Sequence, residues 1–167
     1  MTINVEQLLA KVPTGLLING QWRDAASGET FDVENPATGE VLATLASANS
    51  EDAVAALDAA CAVQDEWART TPRERSNILR RAFELVTERK DEFAELMTLE
   101  MGKPLAEAYG EVTYGAEYLR WFSEEAVRDY GRSLPAPEGT LQMVTRRKPV
   151  GPCLLITPWN FPLAMAT

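Results

Sequence analysis

Residues 151–157 read GPCLLIT, an unbroken apolar run from Cys153 to Ile156 that ends on Thr157 and is then stopped by Pro158. An apolar run of this kind is what a strand covered on both faces looks like, and such strands belong to parallel sheets packed between helices. The run therefore predicts an α/β architecture. One strand cannot make that sheet by itself. The run before it, LQMVTRRKP, alternates instead, so residues 140–157 are expected to form two strands divided by a turn at Pro149 to Pro152.

The chain upstream changes period once. Residues 1–15 read as an arm or short helix. Residues 16–46 follow as a small antiparallel β segment, with Asn19-Gly20 as a two-residue hairpin signal and Gly28, Pro36 and Gly39 between further short extended runs. From Ser50, taken as a cap, the pattern is helical to Gly131. Val54, Leu57, Cys61 and Trp67 form one stripe. Thr71-Pro72-Arg73-Glu74 carries a cap, a proline at the first helical position and a reciprocal glutamate. Ile78, Leu79, Ala82, Phe83 and Val86 make the stripe of that helix. The segment 91–101 closes at Gly102, and Pro104 opens a last helix whose stripe runs through Leu105, Ala108, Val112, Ala116, Leu119, Phe122 and Ala126. The stretch SLPAPEGT is a linker by composition.

Several function classes drop out. A net charge of −9 disfavours a nucleic-acid surface, and the short basic cluster Arg146, Arg147 and Lys148 reads as a solvated strand edge. No run approaches the ~18 apolar residues of a membrane span. The start MTINVEQLLAKV lacks the layout of a signal peptide, so a cytoplasmic protein without membrane or nucleic-acid partners is expected. The chain has no histidine, which removes Ser-His and Cys-His dyads and His-ligated metals. Its two cysteines, Cys61 and Cys153, are too few for a zinc cluster or disulfide framework, and each reads as a small buried side chain. No metal site is expected.

The residues after the apolar run hold the chemistry. In doubly wound α/β folds, ligands sit beyond the carboxyl ends of the strands. Here that position is Thr157-Pro158-Trp159-Asn160-Phe161-Pro162, where two prolines fix their own φ and force extended backbone on Thr157 and Phe161. A stiff loop suits a side chain that must donate a hydrogen bond to developing charge, and the Asn160 amide is such a donor at every working pH. Taken on residues alone, a plain turn is the simpler account, with Trp159 and Phe161 buried and Asn160 satisfying a backbone group.

ITPWNFPLAMAT resembles the motif that opens the coenzyme domain of NAD(P)-dependent aldehyde dehydrogenases. LLINGQWRDAASGETFDVENPATGEVL is similar to the amino-terminal β segment of that superfamily, and MTLEMGKPLAEAYGEV with YLRWFSEEA resembles its succinate-semialdehyde dehydrogenase branch. The likeness runs from about residue 16 to the last residue. It implies that residues 16–167 are an incomplete coenzyme-binding domain, its β segment and helices leading into the first strand-loop-helix unit of a Rossmann-like fold. It also implies that succinate semialdehyde is oxidised to succinate with NAD or NADP through a thiohemiacetal and a thioacyl-enzyme. Asn160 falls on the Asn that holds the oxyanion. Ile156, Thr157, Pro158, Trp159 and Asn160 would lie along the coenzyme, while Tyr114, Phe161 and Met165 fall where the family lines its aldehyde channel, a core role remaining open for each. Glu100 falls at a position that helps bind a monovalent cation in some members, although a solvated helix-end carboxylate is the simpler account.

The resemblance places the nucleophilic cysteine, the general-base glutamate, a ribose-contacting lysine and a Gly-rich turn beyond Thr167. Neither Cys61 nor Cys153 sits in the nucleophile's context. The chain is therefore expected to be a truncated, inactive portion of a homo-oligomeric enzyme. Two alternatives stand beside it: a different aldehyde such as glutarate semialdehyde, or a non-catalytic interaction module.

Overall fold

The computed structural model describes residues 4–167. Asn4 caps a short helix, α1 (Val5–Leu9), accepting from the Gln7 N–H at 3.1 Å. Its one buried residue is Leu8, and Lys11 pairs with Glu92 at 2.7 Å, so this part of the arm is docked. The β segment takes the form of two antiparallel ribbons. In the first, β1 (Leu16–Ile18) pairs with β2 (Gln21–Arg23), Leu17 opposite Trp22. Asn19 at φ 52° and Gly20 at φ 72° give the doubly left-handed turn that suits two-residue hairpins. In the second, β3 (Thr30–Glu34) pairs with β4 (Val41–Ala46), Phe31 opposite Leu45, and the register shifts at Val33 and Glu34. The ribbons are joined where the Ala46 N–H donates to the Thr14 carbonyl at 2.9 Å.

Helix α2 (Ser50–Arg69) is capped by Asn49 and not by Ser50. The Asn49 side chain accepts from the N–H groups of Glu51 and Asp52, and the Asp52 carboxylate accepts from the Asn49 N–H at 3.2 Å. Only with Asn49 as cap does an acid fall three residues on, so the reciprocal pair selects that start. The expected stripe of α2 is exposed: Val54, Leu57 and Trp67 face outward, and Cys61 is exposed where burial was expected. The reason is that, among the described residues, α2 packs chiefly against β1 and is not covered by another helix.

Helix α3 (Pro72–Glu88) starts as its sequence predicts, with Thr71 and Glu74 bonded reciprocally. The Thr71 N–H and hydroxyl hold the Glu74 carboxyl below the usual carboxylate range. Helix α4 (Lys90–Met101) ends on Gly102 at φ 78°, whose N–H donates to the Thr98 carbonyl at 3.1 Å. A Cβ on Gly102 would stand 3.0 Å from Pro36 Cγ in the β3–β4 turn. Gly102→Ala is expected to cost about 1–2 kcal/mol from the left-handed backbone, read as a lowered thermal midpoint of the enzyme carrying this chain.

Helix α5 (Leu105–Glu125) is capped by Pro104 and passes into a short 3-10 turn, Ala126–Arg128, so the regular helix stops before Gly131. It is the centre of the fold, with both α3 and α4 packed on it. Ala94, Met97, Ala108 and Val112 form the buried cluster, and Val86, Phe93, Tyr109 and Leu163 pack around it.

Two expectations fail at the end of the chain. SLPAPEGT is not an open linker, because β5 (Arg132–Pro135) and β6 (Gln142–Thr145) form a third antiparallel ribbon with Leu134 opposite Met143. Pro135 is tolerated as the terminal residue of its strand. No strand forms over residues 151–157; Leu154 is 86% exposed and Ile156 87%, and Cys153 is exposed as well. A strand needs a neighbour to accept its ladder bonds, and no described strand lies beside this run.

Candidate active site

The loop that follows the unpaired run is held to the helices at a few points. Gly102 ends α4 in the left-handed conformation, Pro104 opens α5, and Lys103 between them is directed into the corner. Its side chain is 9% exposed. Nζ pairs with the Glu111 carboxylate, donates to the Asn160 backbone carbonyl at 2.8 Å, and lies 4.3 Å from the centre of the Phe161 ring.

Glu111 stands on the inward face of α5 with its side chain 1% exposed. While one carboxylate oxygen meets Lys103, the other accepts from the N–H groups of Leu163 at 2.9 Å and Ala164 at 3.2 Å. Those two groups begin the turn in which Met165 donates to the Phe161 carbonyl and Thr167 to the Leu163 carbonyl. A carboxylate at the amino end of a helical turn satisfies donors that the turn itself leaves free. Gly115, one turn further along α5, lets the segment approach, since a Cβ there would stand 3.2 Å from Ala164 Cα and Leu163 Cγ. The Thr167 hydroxyl completes the attachment by donating to the Gly115 carbonyl at 3.0 Å.

Asn160 is thus pinned by its backbone while its side chain is exposed. Ile156, Thr157, Pro158 and Trp159 are exposed as well, Trp159 at 80%. In this loop Trp159 stands free of the described residues, and Phe161 is half-exposed beneath Lys103. Tyr114 lies elsewhere on α5, its hydroxyl 2.5 Å from that of Tyr118, beside a cleft of about 370 Å³ that Trp121 and Phe122 also line. Met165 is half-exposed. The structure gathers Asn160, Phe161, Leu163 and Ala164 around the Lys103–Glu111 pair, and leaves Ile156 to Trp159 as an open surface.

Glu100 sits on the last turn of α4 as an exposed residue, and partial loss of hydration by neighbouring chain raises its carboxyl above its ordinary value. Among the described residues no group of three or more His, Cys, Asp or Glu side chains is gathered as a metal site, and no helix is long and apolar enough to cross a membrane.

Sequence reasoning missed Lys103, Glu111, Gly115 and Thr167. A signal existed for Glu111, a carboxylate at the edge of the apolar stripe made by Ala108, Val112, Gly115 and Ala116. A carboxylate on a buried helix face needs a partner, and Lys103 stands just before the helix, eight residues upstream.

The sequence profile of the aldehyde dehydrogenase family matches residues 22–167. The chain belongs to the aldehyde dehydrogenase family. It is 76% identical over 127 residues to a succinate-semialdehyde dehydrogenase of Paenarthrobacter nicotinovorans, a match over 76% of the chain and 28% of that relative. It is 47% identical over 150 residues to a glutarate-semialdehyde dehydrogenase of Pseudomonas putida, covering 90% of the chain and 31% of that protein. A crystal structure of an NADP-dependent enzyme of E. coli superposes with a TM-score of 0.90 at 42% identity, over 99% of the chain and 34% of the other. The chain therefore spans about three tenths of the length of the curated relatives it matches. The mixed helix and ribbon arrangement is that of the amino-terminal part of solved aldehyde dehydrogenases, as its motifs imply.

Proposed function

We propose that this chain supplies the oxyanion-holding Asn160 and part of the coenzyme surface of an enzyme that oxidises succinate semialdehyde to succinate with NAD+ or NADP+. The observation that carries the reading is the state of Asn160. Its carbonyl is fixed by Lys103 at 2.8 Å, its flanks are proline-stiffened, and the residue itself is exposed. A neutral donor held in this way can meet the negative oxygen that forms when a thiolate adds to an aldehyde carbon. Neither Cys61, on α2, nor Cys153, in the unpaired run, is part of this gathering, so the thiolate belongs to sequence other than these two.

The coenzyme, when bound, accepts the hydride that leaves the aldehyde carbon. Residues 156–159 fit that group chemically. Ile156 and Trp159 offer apolar and aromatic surface to a flat ring, and the extended backbone there has groups not used in a ladder. Tyr114, Phe161 and Met165, each partly exposed, are available to line the aldehyde's path. In this reading the active enzyme is a cytoplasmic homo-oligomer.

The relative at 76% identity favours succinate semialdehyde over its one-carbon-longer homologue. The test is coenzyme reduction by the active enzyme carrying this chain, with succinate semialdehyde, glutarate semialdehyde and an uncharged aldehyde of matching length, each with NAD+ and with NADP+. The highest kcat/KM is expected with succinate semialdehyde. Preference for either competitor would overturn the substrate assignment.

A further inference from the structure

We infer that Lys103 and Glu111 act together as a positioning pair that sets where the Asn160 amide stands. This role rests on the oxyanion reading of Asn160 and adds to it the residues that make the donor's position reproducible.

Pro158 and Pro162 restrict torsions within the loop, but they do not fix the loop relative to the helices. Something else must do so, because a donor helps a transition state only when it already points at the place where charge develops. The Lys103–Glu111 pair holds the chain at Asn160 and again just after it. Lys103 Nζ holds the Asn160 carbonyl at 2.8 Å, and Glu111 holds the N–H groups of Leu163 and Ala164 at 2.9 and 3.2 Å. Because the same two side chains also pair with each other, a tilt of the loop away from α5 would break both attachments.

Burial makes this arrangement specific. Lys103 and Glu111 are 9% and 1% exposed at their side chains, so neither charge can exchange its partner for water without being uncovered. A buried ion pair is poor evidence of net stability, since desolvation offsets much of the attraction. Its retention here is better explained by what it orients. The ammonium has three donors, and the structure directs it to a carboxylate, a carbonyl and the face of the Phe161 ring. Gly115 allows α5 to sit close enough for Glu111 to reach both N–H groups.

The test is a double-substitution cycle in the active enzyme carrying this chain. Lys103→Met, Asn160→Ala and the double variant are compared for kcat, aldehyde KM, coenzyme affinity by fluorescence quenching, and thermal midpoint. Lys103→Met is expected to lower kcat by about ten-fold or more, because small misplacements of a reacting group carry losses of this order, while coenzyme affinity changes by less than about three-fold. In the Asn160→Ala background the same substitution should cost little further, since no amide remains to be misplaced. An unchanged kcat in Lys103→Met, or an equal loss in both backgrounds, would overturn the positioning role. If Lys103→Met does not fold, Glu111→Gln takes its place in the cycle with the same expectations, since it keeps an acceptor for Leu163 and Ala164 but removes the charge facing Lys103. Asn160→Ala alone separates the two levels. Full activity in that variant overturns the oxyanion reading and the positioning role together, whereas a slowed Asn160→Ala enzyme with additive Lys103 effects overturns the positioning role only.

Discussion

Asn160→Ala in the active enzyme is expected to lower kcat by about 10² to 10³-fold, the scale of removing one oxyanion donor. Coenzyme affinity should hardly move, because the Asn160 contact visible in this fold runs through its backbone carbonyl, which alanine retains. The loop itself should also survive, since Lys103, Glu111, Leu163 and Ala164 meet through groups that the substitution does not touch. Stopped-flow coenzyme reduction at saturating aldehyde reads the first turnover directly. A loss confined to KM, with kcat preserved, would mean that Asn160 binds the ground state and the transition state equally. Asn160→Asp is the stricter variant, because it places an anion where an oxyanion must form, and its first turnover should be slower still.

The second large effect is structural. Asp52→Ala should destabilise the folded chain by about 3 kcal/mol, the sum expected when a buried carboxylate accepting several hydrogen bonds is removed. Asp52 is 1% exposed and accepts from the Arg23 guanidinium at 3.2 Å, from the Ala26 N–H at 3.1 and 3.2 Å, and from the Asn49 N–H at 3.2 Å. One side chain therefore caps α2 and fastens the segment after β2 to it. Arg23 is partly exposed and can turn to water, so the loss comes chiefly from the two N–H groups left without an acceptor. Asp52→Asn keeps one acceptor oxygen and should cost less. A shifted urea midpoint for the enzyme, together with faster amide exchange at Ala26, checks the expectation; a midpoint moved by the equivalent of less than about 1 kcal/mol would show that the ribbon and helix are joined by other contacts.

Local chemistry was the legible part of this fold. Asn19-Gly20, Thr71-Pro72 with Glu74, and Gly102 each announce a turn, a start and a stop, because the residue that makes the feature is the residue that the backbone there requires. Ser50 misled because Asn49 beside it is as good a cap, and only the acid at Asp52 separates the two registers. SLPAPEGT misled because proline content describes what a segment cannot do inside a sheet, and a two-stranded ribbon makes smaller demands. The run 151–157 carries the pattern of a strand covered on both faces, yet pattern expresses suitability and a ladder requires a partner. Cys61 follows the same rule: the α2 stripe is apolar, but the helices that pack in this structure are α3, α4 and α5.

The candidate site divides along the same line. Asn160 and its prolines could be found by reading neighbours in sequence, and the family resemblance gave that Asn a role. Lys103 could not be found that way. In Gly-Lys-Pro it looks like a connector between helices, and its three contacts come from positions as distant as Asn160 and Phe161. Contacts over such separations depend on how α4 and α5 cross, which no local pattern encodes.

The exposed run 151–157 lies between two attachments. Upstream, β6 is paired to β5, and the Thr145 hydroxyl accepts from the Arg132 N–H at 3.1 Å; downstream, the Asn160 carbonyl is held by Lys103. A segment fastened at both ends explores far fewer arrangements than a free tail. When another strand pairs with it, most of the loop-closure entropy has already been spent by the ribbon and by the ion pair. The ribbon and the ion pair thus act as a splint on this run, so that a strand pairing with it would meet a docking step rather than a search.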